Sequence, residues 1–352
     1  MNKILPPRIK TFERSRQSNL ELFRIIAMFL VLVVHANYFS LQAPTAADFA
    51  DAPLPATTRV FFESLSIGCV NMFVLLSGWF GIHPKFRSFF NFIFQCLFFL
   101  CGIYLFCLVI GWTTLSVEGI AGCFVLLKWN WFIKAYIGLY ILAPVLNVFV
   151  EKTGEKELRW FLISFYLFQT IYSWCSGAAE FFLSGYSTMS FIGLYMLARY
   201  VRLYPNKLTK QSQWSDLSVF FGLVALQTML ISMVTYIDIP LLSGRLINYI
   251  NPIVIIEAIY LLLFFSKISF QSNLVNFIGA SSFAVFLLHT NPNLCRPYFI
   301  PFVQNIYEQY EGVTCLGVML LFLLVVFITA IVIDQIRLFC WKRIWTRYEN
   351  RL

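Results

Sequence analysis

A helix of about twenty apolar residues just crosses the hydrocarbon core of a bilayer, so a chain that repeats such runs has few folds open to it. Ten runs are legible here, near 19–41, 60–82, 88–111, 131–150, 158–175, 187–203, 216–236, 246–265, 274–293 and 312–336. They predict an all-α integral membrane protein, a bundle of about ten transmembrane helices with both termini in the cytoplasm. Hydrophobic residues fill 59% of the 352 positions, against roughly 45–50% in soluble chains. No long hydrophilic stretch is left to build anything else. The chain is read as a basic tail (1–18), one membrane domain (19–336) and a second basic tail (337–352). The 119–127 segment is apolar but too short to span, and is expected to be re-entrant or interfacial.

The charges test this topology. Basic residues gather in the first tail (Lys3, Arg8, Lys10, Arg14, Arg16), in alternate connectors and in the last tail (Arg337, Lys342, Arg343, Arg347, Arg351). The alternate connectors hold Lys85 and Arg87; Lys152, Lys156 and Arg159; Arg199, Arg202, Lys207 and Lys210; and Lys267. The intervening connectors hold only Arg59, Lys128, Arg245 and Arg296. A wrong helix count would scramble that alternation, which follows the positive-inside rule. The net charge of +9 is thereby a topology signal, and no nucleic-acid partner is expected. The first run is long and contains Glu21, Arg24 and His35, so it is expected to be an uncleaved helix rather than a signal peptide. Nine cysteines without a C-x-x-C pair read as buried thiols, and no metal is expected. No internal repeat of the kind found in many transporters is evident.

Ionisable residues inside spans are costly and mark function. Arg24 and His35 lie on one face of the first helix, within about 20° of each other and about 16 Å apart along the axis. Glu21 and Arg24 are i, i+3 neighbours placed to pair. His289, on the ninth run, is expected at the depth of His35, and a neutral imidazole there suits general-base work. Glu63 lies within reach of the histidine level and completes the candidate catalytic set of His35, His289 and Glu63. Asn71, Trp131 and Tyr136 are the candidate substrate contacts; Trp131 and Tyr136 belong to an aromatic cluster with Trp129 and Tyr140. For most of these residues an inter-helix hydrogen bond or an interfacial belt is the competing reading.

At these residues the sequence resembles the acyltransferase-3 group of membrane acyltransferases. The resemblance rests on NLELFRIIAMFLVLVVHA with its Arg24-(ten residues)-His35 pair, VNMFVLLSGWFGI at 70–82, WFIKAYIGLYILAPVLN at 131–147 and SSFAVFLLHTNP at 281–292. It implies transfer of an acyl group, usually acetyl, from cytoplasmic acyl-CoA to a sugar hydroxyl of an envelope glycan or a lipid-linked precursor. His35 would be the catalytic histidine, Arg24 would serve the donor side, and acetyl-CoA would be the co-substrate. Lys85, Arg87 and Arg199 or Arg202 would offer cations to CoA phosphates. His35 would act as general base or carry the acyl group covalently; the base is preferred because no base for His35 itself is evident. Many relatives carry a closely spaced arginine pair after the second helix, where this chain has His83-Pro84-Lys85-Phe86-Arg87. Some relatives carry a fused extracytoplasmic domain. The short 337–352 tail implies direct transfer or hand-over to a separate glycan-assembly protein. The expected surroundings are membrane lipids, in a bacterial inner membrane. A transporter or flippase for a glycan or lipid-linked intermediate is the alternative.

Overall fold

The computed structural model describes residues 16–207 and 209–349, and every regular element among them is helical. Lys3, Arg8, Lys10, Arg14 and Arg351 of the expected tails lie outside the described residues. In lipid a backbone must satisfy its own polar groups, which leaves helices as the natural outcome of these runs.

α1 (Ser18–Val34) passes directly into a π-helical turn (His35–Phe39). The short α2 (Ala46–Asp51) is followed by α3 (Pro53–Ser66) and α4 (Cys69–Phe80), which form one span. Next come α5 (Phe86–Val109), the short α6 (Val117–Phe124), α7 (Trp131–Lys152) and α8 (Glu155–Phe168), the last extended by a π turn at Gln169–Cys175. α9 (Thr188–Leu203), α10 (Gln213–Tyr236), α11 (Pro240–Leu246) and α12 (Pro252–Lys267) follow. α13 (Asn273–Ser281), α14 (Phe283–His289), the single turn α15 (Pro292–Leu294), α16 (Ile300–Gln309) and the long α17 (Gly312–Glu349) complete the chain.

Among the described residues six helices are long and apolar enough to cross a membrane: Ser18–Phe39, Pro53–Phe80, Phe86–Val109, Trp131–Lys152, Gln213–Tyr236 and Gly312–Glu349. The pair Asn273–His289 and Pro292–Gln309, bent by 58°, makes a seventh if it is one span. The protein is a multi-pass helical membrane protein. The runs expected near 158–175, 187–203 and 246–265 are also largely helical. However, α9 and α12 have 16 residues each, about 24 Å of rise against a core of about 30 Å. α8 opens with Glu155, Lys156, Glu157 and Arg159.

Two connectors are more ordered than the sequence suggests. The 42–59 segment is largely helical because Thr45 and Asp48 cap α2 reciprocally and Pro53 starts α3. Those Thr45 hydrogen bonds hold the Asp48 carboxyl below its ordinary range. The stretch after His289 turns at Asn291-Pro292 and continues as helix to Gln309. The 119–127 segment overlaps the short α6, whose Val117, Ile120 and Phe124 are exposed.

α1 is the hub, lying against α3, α4, α12, α13, α14 and α17. Its first turn is pinned: the Ser18 hydroxyl donates to Asn276 Oδ1 at 3.0 Å and accepts from the Ser272 amide at 2.9 Å. Asn19 donates to the Phe265 carbonyl at 2.9 Å. α4 and α9 approach so closely at Gly78 that a Cβ there would sit 2.5 Å from the Tyr195 carbonyl oxygen.

α17 carries a buried ion pair. Arg337 meets Asp334 at 2.7 Å, Arg337 also donates to Asn91 at 2.9 Å, and Gln95 donates to Asp334 at 3.0 Å. Arg337, read from the sequence as a tail cation, is 1% exposed, and the helix runs on past it to Glu349. Four residues on two helices satisfy one another there, which is what a buried charge requires.

Candidate active site

α1 and α14 bring the two imidazoles together. His35 Nδ1 lies 2.7 Å from His289 Nε2, although the residues are 254 positions apart. His289 Nδ1 lies 2.5 Å from the Val285 carbonyl oxygen one turn back on α14. A carbonyl only accepts, so His289 holds its proton on Nδ1 and its Nε2 is the acceptor. His35 must then donate from Nδ1, which leaves its Nε2 unprotonated. His289 is 2% exposed and packs on the rings of Phe286 and Phe299.

Helix geometry changes at both histidines. The π turn begins at His35 itself, and such turns recur at functional sites because they re-aim side chains. It directs Asn37 to the Arg59 carbonyl at 2.8 Å and to Glu63 Oε2 at 3.0 Å. His289 is the last residue of α14, at the 58° break.

His35 opens on a cavity of about 320 Å³ whose lining includes Tyr38, Glu63, Cys69, Trp131, Tyr186 and Tyr249. A second cavity of about 340 Å³ is lined by Arg24, Ser77, Gln95, Tyr136 and Ser282 among apolar groups. Arg24 pairs with Glu21 at 2.7 Å, as the i, i+3 spacing predicts. Gly279, on α13, lines the same cavity, and a Cβ there would come within 2.4 Å of Glu21 Oε2. The four sequence segments converge on these two spaces. His35 and Arg24 come from the first, Phe73 and Ser77 from the second, Trp131 and Tyr136 from the third and Phe283 from the fourth. His289 hangs behind His35.

A family model described as an acyltransferase domain, Acyl_transf_3, matches residues 17–334. The chain belongs to this acyltransferase family. No curated protein and no solved structure matches it.

Within this acyltransferase the expected site residues divide. His35, Glu63 and Trp131 line one cavity, Arg24 and Tyr136 the other. Glu63 is 2% exposed, and its carboxylate accepts from the Asn37 amide and the Tyr38 backbone, not from either imidazole. Trp131 meets Tyr186 edge-on at 4.3 Å and Tyr249 at 6.1 Å. The Tyr136 hydroxyl is 3.3 Å from that of Ser77. Asn71 lines neither cavity; its amide donates to the Tyr249 carbonyl at 2.9 Å and holds α4 to the start of α12. Lys85 and Arg87 are exposed residues following Gly81 and Ile82 of the Arg24 cavity. Arg87 lies over Trp345 at 5.3 Å and 3.5 Å from Glu349. Arg199 is 8% exposed and lies against Gly81, and among the described residues its Nε has no hydrogen-bond partner. Arg202 stacks on Trp79 and bonds its carbonyl.

The sequence shows no partner for the His35 ring; the structure places His289 Nε2 within hydrogen-bond distance of His35 Nδ1. Sequence reasoning also misses Asn37 and the Gln95–Asp334–Arg337 network. Asp334, an acid inside the last apolar run, was the available signal.

Proposed function

We propose that this acyltransferase moves an acetyl group from cytoplasmic acetyl-CoA to a sugar hydroxyl of an envelope polysaccharide or its lipid-linked precursor. The protein would sit in a bacterial plasma membrane as a bundle of about ten spans with both termini in the cytoplasm. The observation that carries this reading is the His35–His289 pair, whose free His35 Nε2 is left as an acceptor beside a cavity. Supporting the orientation, Lys85, Arg87, Lys152, Lys156 and Lys267 lie in or beside alternate connectors on the side of the basic tails, whereas Arg199, expected in a connector, is buried within α9.

The donor enters the Arg24 cavity from the cytoplasm. Arg24, held by Glu21, and the buried Arg199 supply cations to it, with Lys85 and Arg87 on the approach. Its extended arm covers the distance of about 16 Å to the histidine level. The sugar lies in the His35 cavity, where Trp131 and Tyr186 offer aromatic faces. His35 Nε2 takes the hydroxyl proton as the oxygen attacks the thioester carbonyl. The carbon–sulfur bond breaks, and the departing CoA thiolate receives that proton from His35. His289 orients the ring through Nδ1 and shares the positive charge while it lasts, the part that a buried carboxylate plays in a triad. Two cavities that abut favour simultaneous occupation, hence direct transfer over an acyl-histidine.

Sealed vesicles test the proposal. Labelled acetyl-CoA supplied to the face bearing the basic tails should give alkali-labile label on a supplied envelope glycan, and label supplied to the other face should give none. Label on neither arm, with native acceptor present, removes the enzyme reading. The rival reading, a glycan or lipid-linked-sugar flippase, draws on the broken helix at His289, a device transporters use at binding sites. It predicts movement of the acceptor across the vesicle without ester formation.

A further inference from the structure

The two cavities share three lining residues, and all three are phenylalanines: Phe73, Phe132 and Phe283. They come from α4, α7 and α14. Phe132 touches both of the others, with ring centroids 6.4 Å from Phe73 and 6.2 Å from Phe283. Aromatic rings at 4.5–7 Å are in contact, so no chain-sized gap runs between Phe132 and either of the other two rings. The rings are braced from behind. Phe283 stacks on Phe92 at 5.5 Å and on Phe286 at 5.8 Å, and Phe132 stacks on Tyr136 at 6.0 Å. The backbone of Phe132 is fixed, because its amide donates to the Asn130 cap at 2.9 Å.

We infer that Phe73, Phe132 and Phe283 form a septum, closed at rest, through which the acyl-bearing arm of the donor is threaded. We infer also that its width restricts the donor to short, unbranched acyl thioesters. The inference rests on the proposed function for the identity of the two cavities. With the Phe132 backbone held by its cap, opening goes through the Phe132 side chain, whose ring also packs on Phe191 and Phe286. A slender methylene-and-amide arm passes where a branched or aromatic acyl group does not. While the arm is absent, the rings remove any continuous water path between the cavities. While it is present, the arm fills the opening, and the thioester meets the His35 side without bulk water.

A reporter cysteine tests the barrier without relying on transfer. Tyr186→Cys lies on the His35 cavity at a residue that is 44% exposed. A membrane-impermeant methanethiosulfonate is applied to the Arg24 side of sealed vesicles, and modification at position 186 is read by peptide mass spectrometry. With the three rings intact, position 186 stays unmodified from that side and reacts from the other. With Phe132→Ala it reacts from both. Phe132→Leu, which keeps most of the core volume, gives an intermediate rate should the alanine variant fail to fold. Reaction from the Arg24 side with all rings present, or no gain with either variant, overturns the septum. Acyl-CoA competition tests the selectivity: Phe132→Ala should accept isobutyryl-CoA or benzoyl-CoA several-fold better relative to acetyl-CoA. Unchanged selectivity overturns the width claim. If no acyl transfer occurs at all while the labelling behaves as stated, the septum stands and the enzyme reading is what has failed.

Discussion

The carbonyl oxygen of Val285 lies 2.5 Å from Nδ1 of His289, and this contact within one turn of α14 decides which nitrogen of His35 is free. It forces the His289 proton onto Nδ1, makes Nε2 the acceptor for His35 Nδ1 at 2.7 Å, and leaves His35 Nε2 as the basic atom. A backbone group on one helix thus sets the chemistry of a side chain on another.

In the proposed mechanism His289 is therefore a positioning residue. His289→Ala should lower kcat for acyl transfer by about 10²–10⁴-fold and leave the donor KM nearly unchanged. His289→Gln, whose amide oxygen accepts the same hydrogen bond, should restore part of the loss. Steady-state kinetics in purified membranes separates this from a packing role, which would leave Gln no better than Ala.

Glu63 holds the π turn through Asn37 and takes no proton in this account. Glu63→Gln keeps an acceptor for Asn37 and should retain activity within a few-fold, whereas Glu63→Ala should lose most of it. If both variants are equally inactive at equal membrane levels, the carboxylate acts in the chemistry and the assignment fails.

Gly279 makes room for the Glu21 carboxylate that holds Arg24. Gly279→Ala must displace that carboxylate, so the donor KM should rise with little change in kcat. Arg24→Ala should raise it further, by about 10–100-fold, the equivalent of 1.4–2.8 kcal/mol. Acetyl-CoA titrations at saturating acceptor check both values.

The Asp334–Arg337 pair is structural. Arg337→Ala strands a buried carboxylate and should cost about 3–5 kcal/mol, while replacing both partners with apolar residues of similar size should cost far less. Thermal unfolding in detergent, read alongside membrane levels, distinguishes the two.

The sequence made the helical membrane class legible because runs of apolar residues have only one cheap backbone solution in lipid. The Glu21–Arg24 pair was legible for a similar reason, since i, i+3 geometry is local. His35 and His289 stood out as rare ionisable residues within spans, yet their contact depends on how α14 meets α1, which no local pattern encodes. The three septum phenylalanines were invisible among 39 in the chain. Asn71 looked like a ligand-facing amide, but the Tyr249 carbonyl, at an unwound helix start, claims it. Arg337 looked like a tail cation because the apolar run ends at 336, and only its partners Asp334 and Asn91 reveal a buried site.

The central claim is that His35 is the base for acyl transfer, and one comparison tests it most directly. Membranes containing the wild type or His35→Ala at equal levels are given labelled acetyl-CoA and native envelope glycan, and alkali-labile label on the glycan is counted. The account predicts ester label with the wild type and none above background with His35→Ala. Label of equal size in both would contradict it.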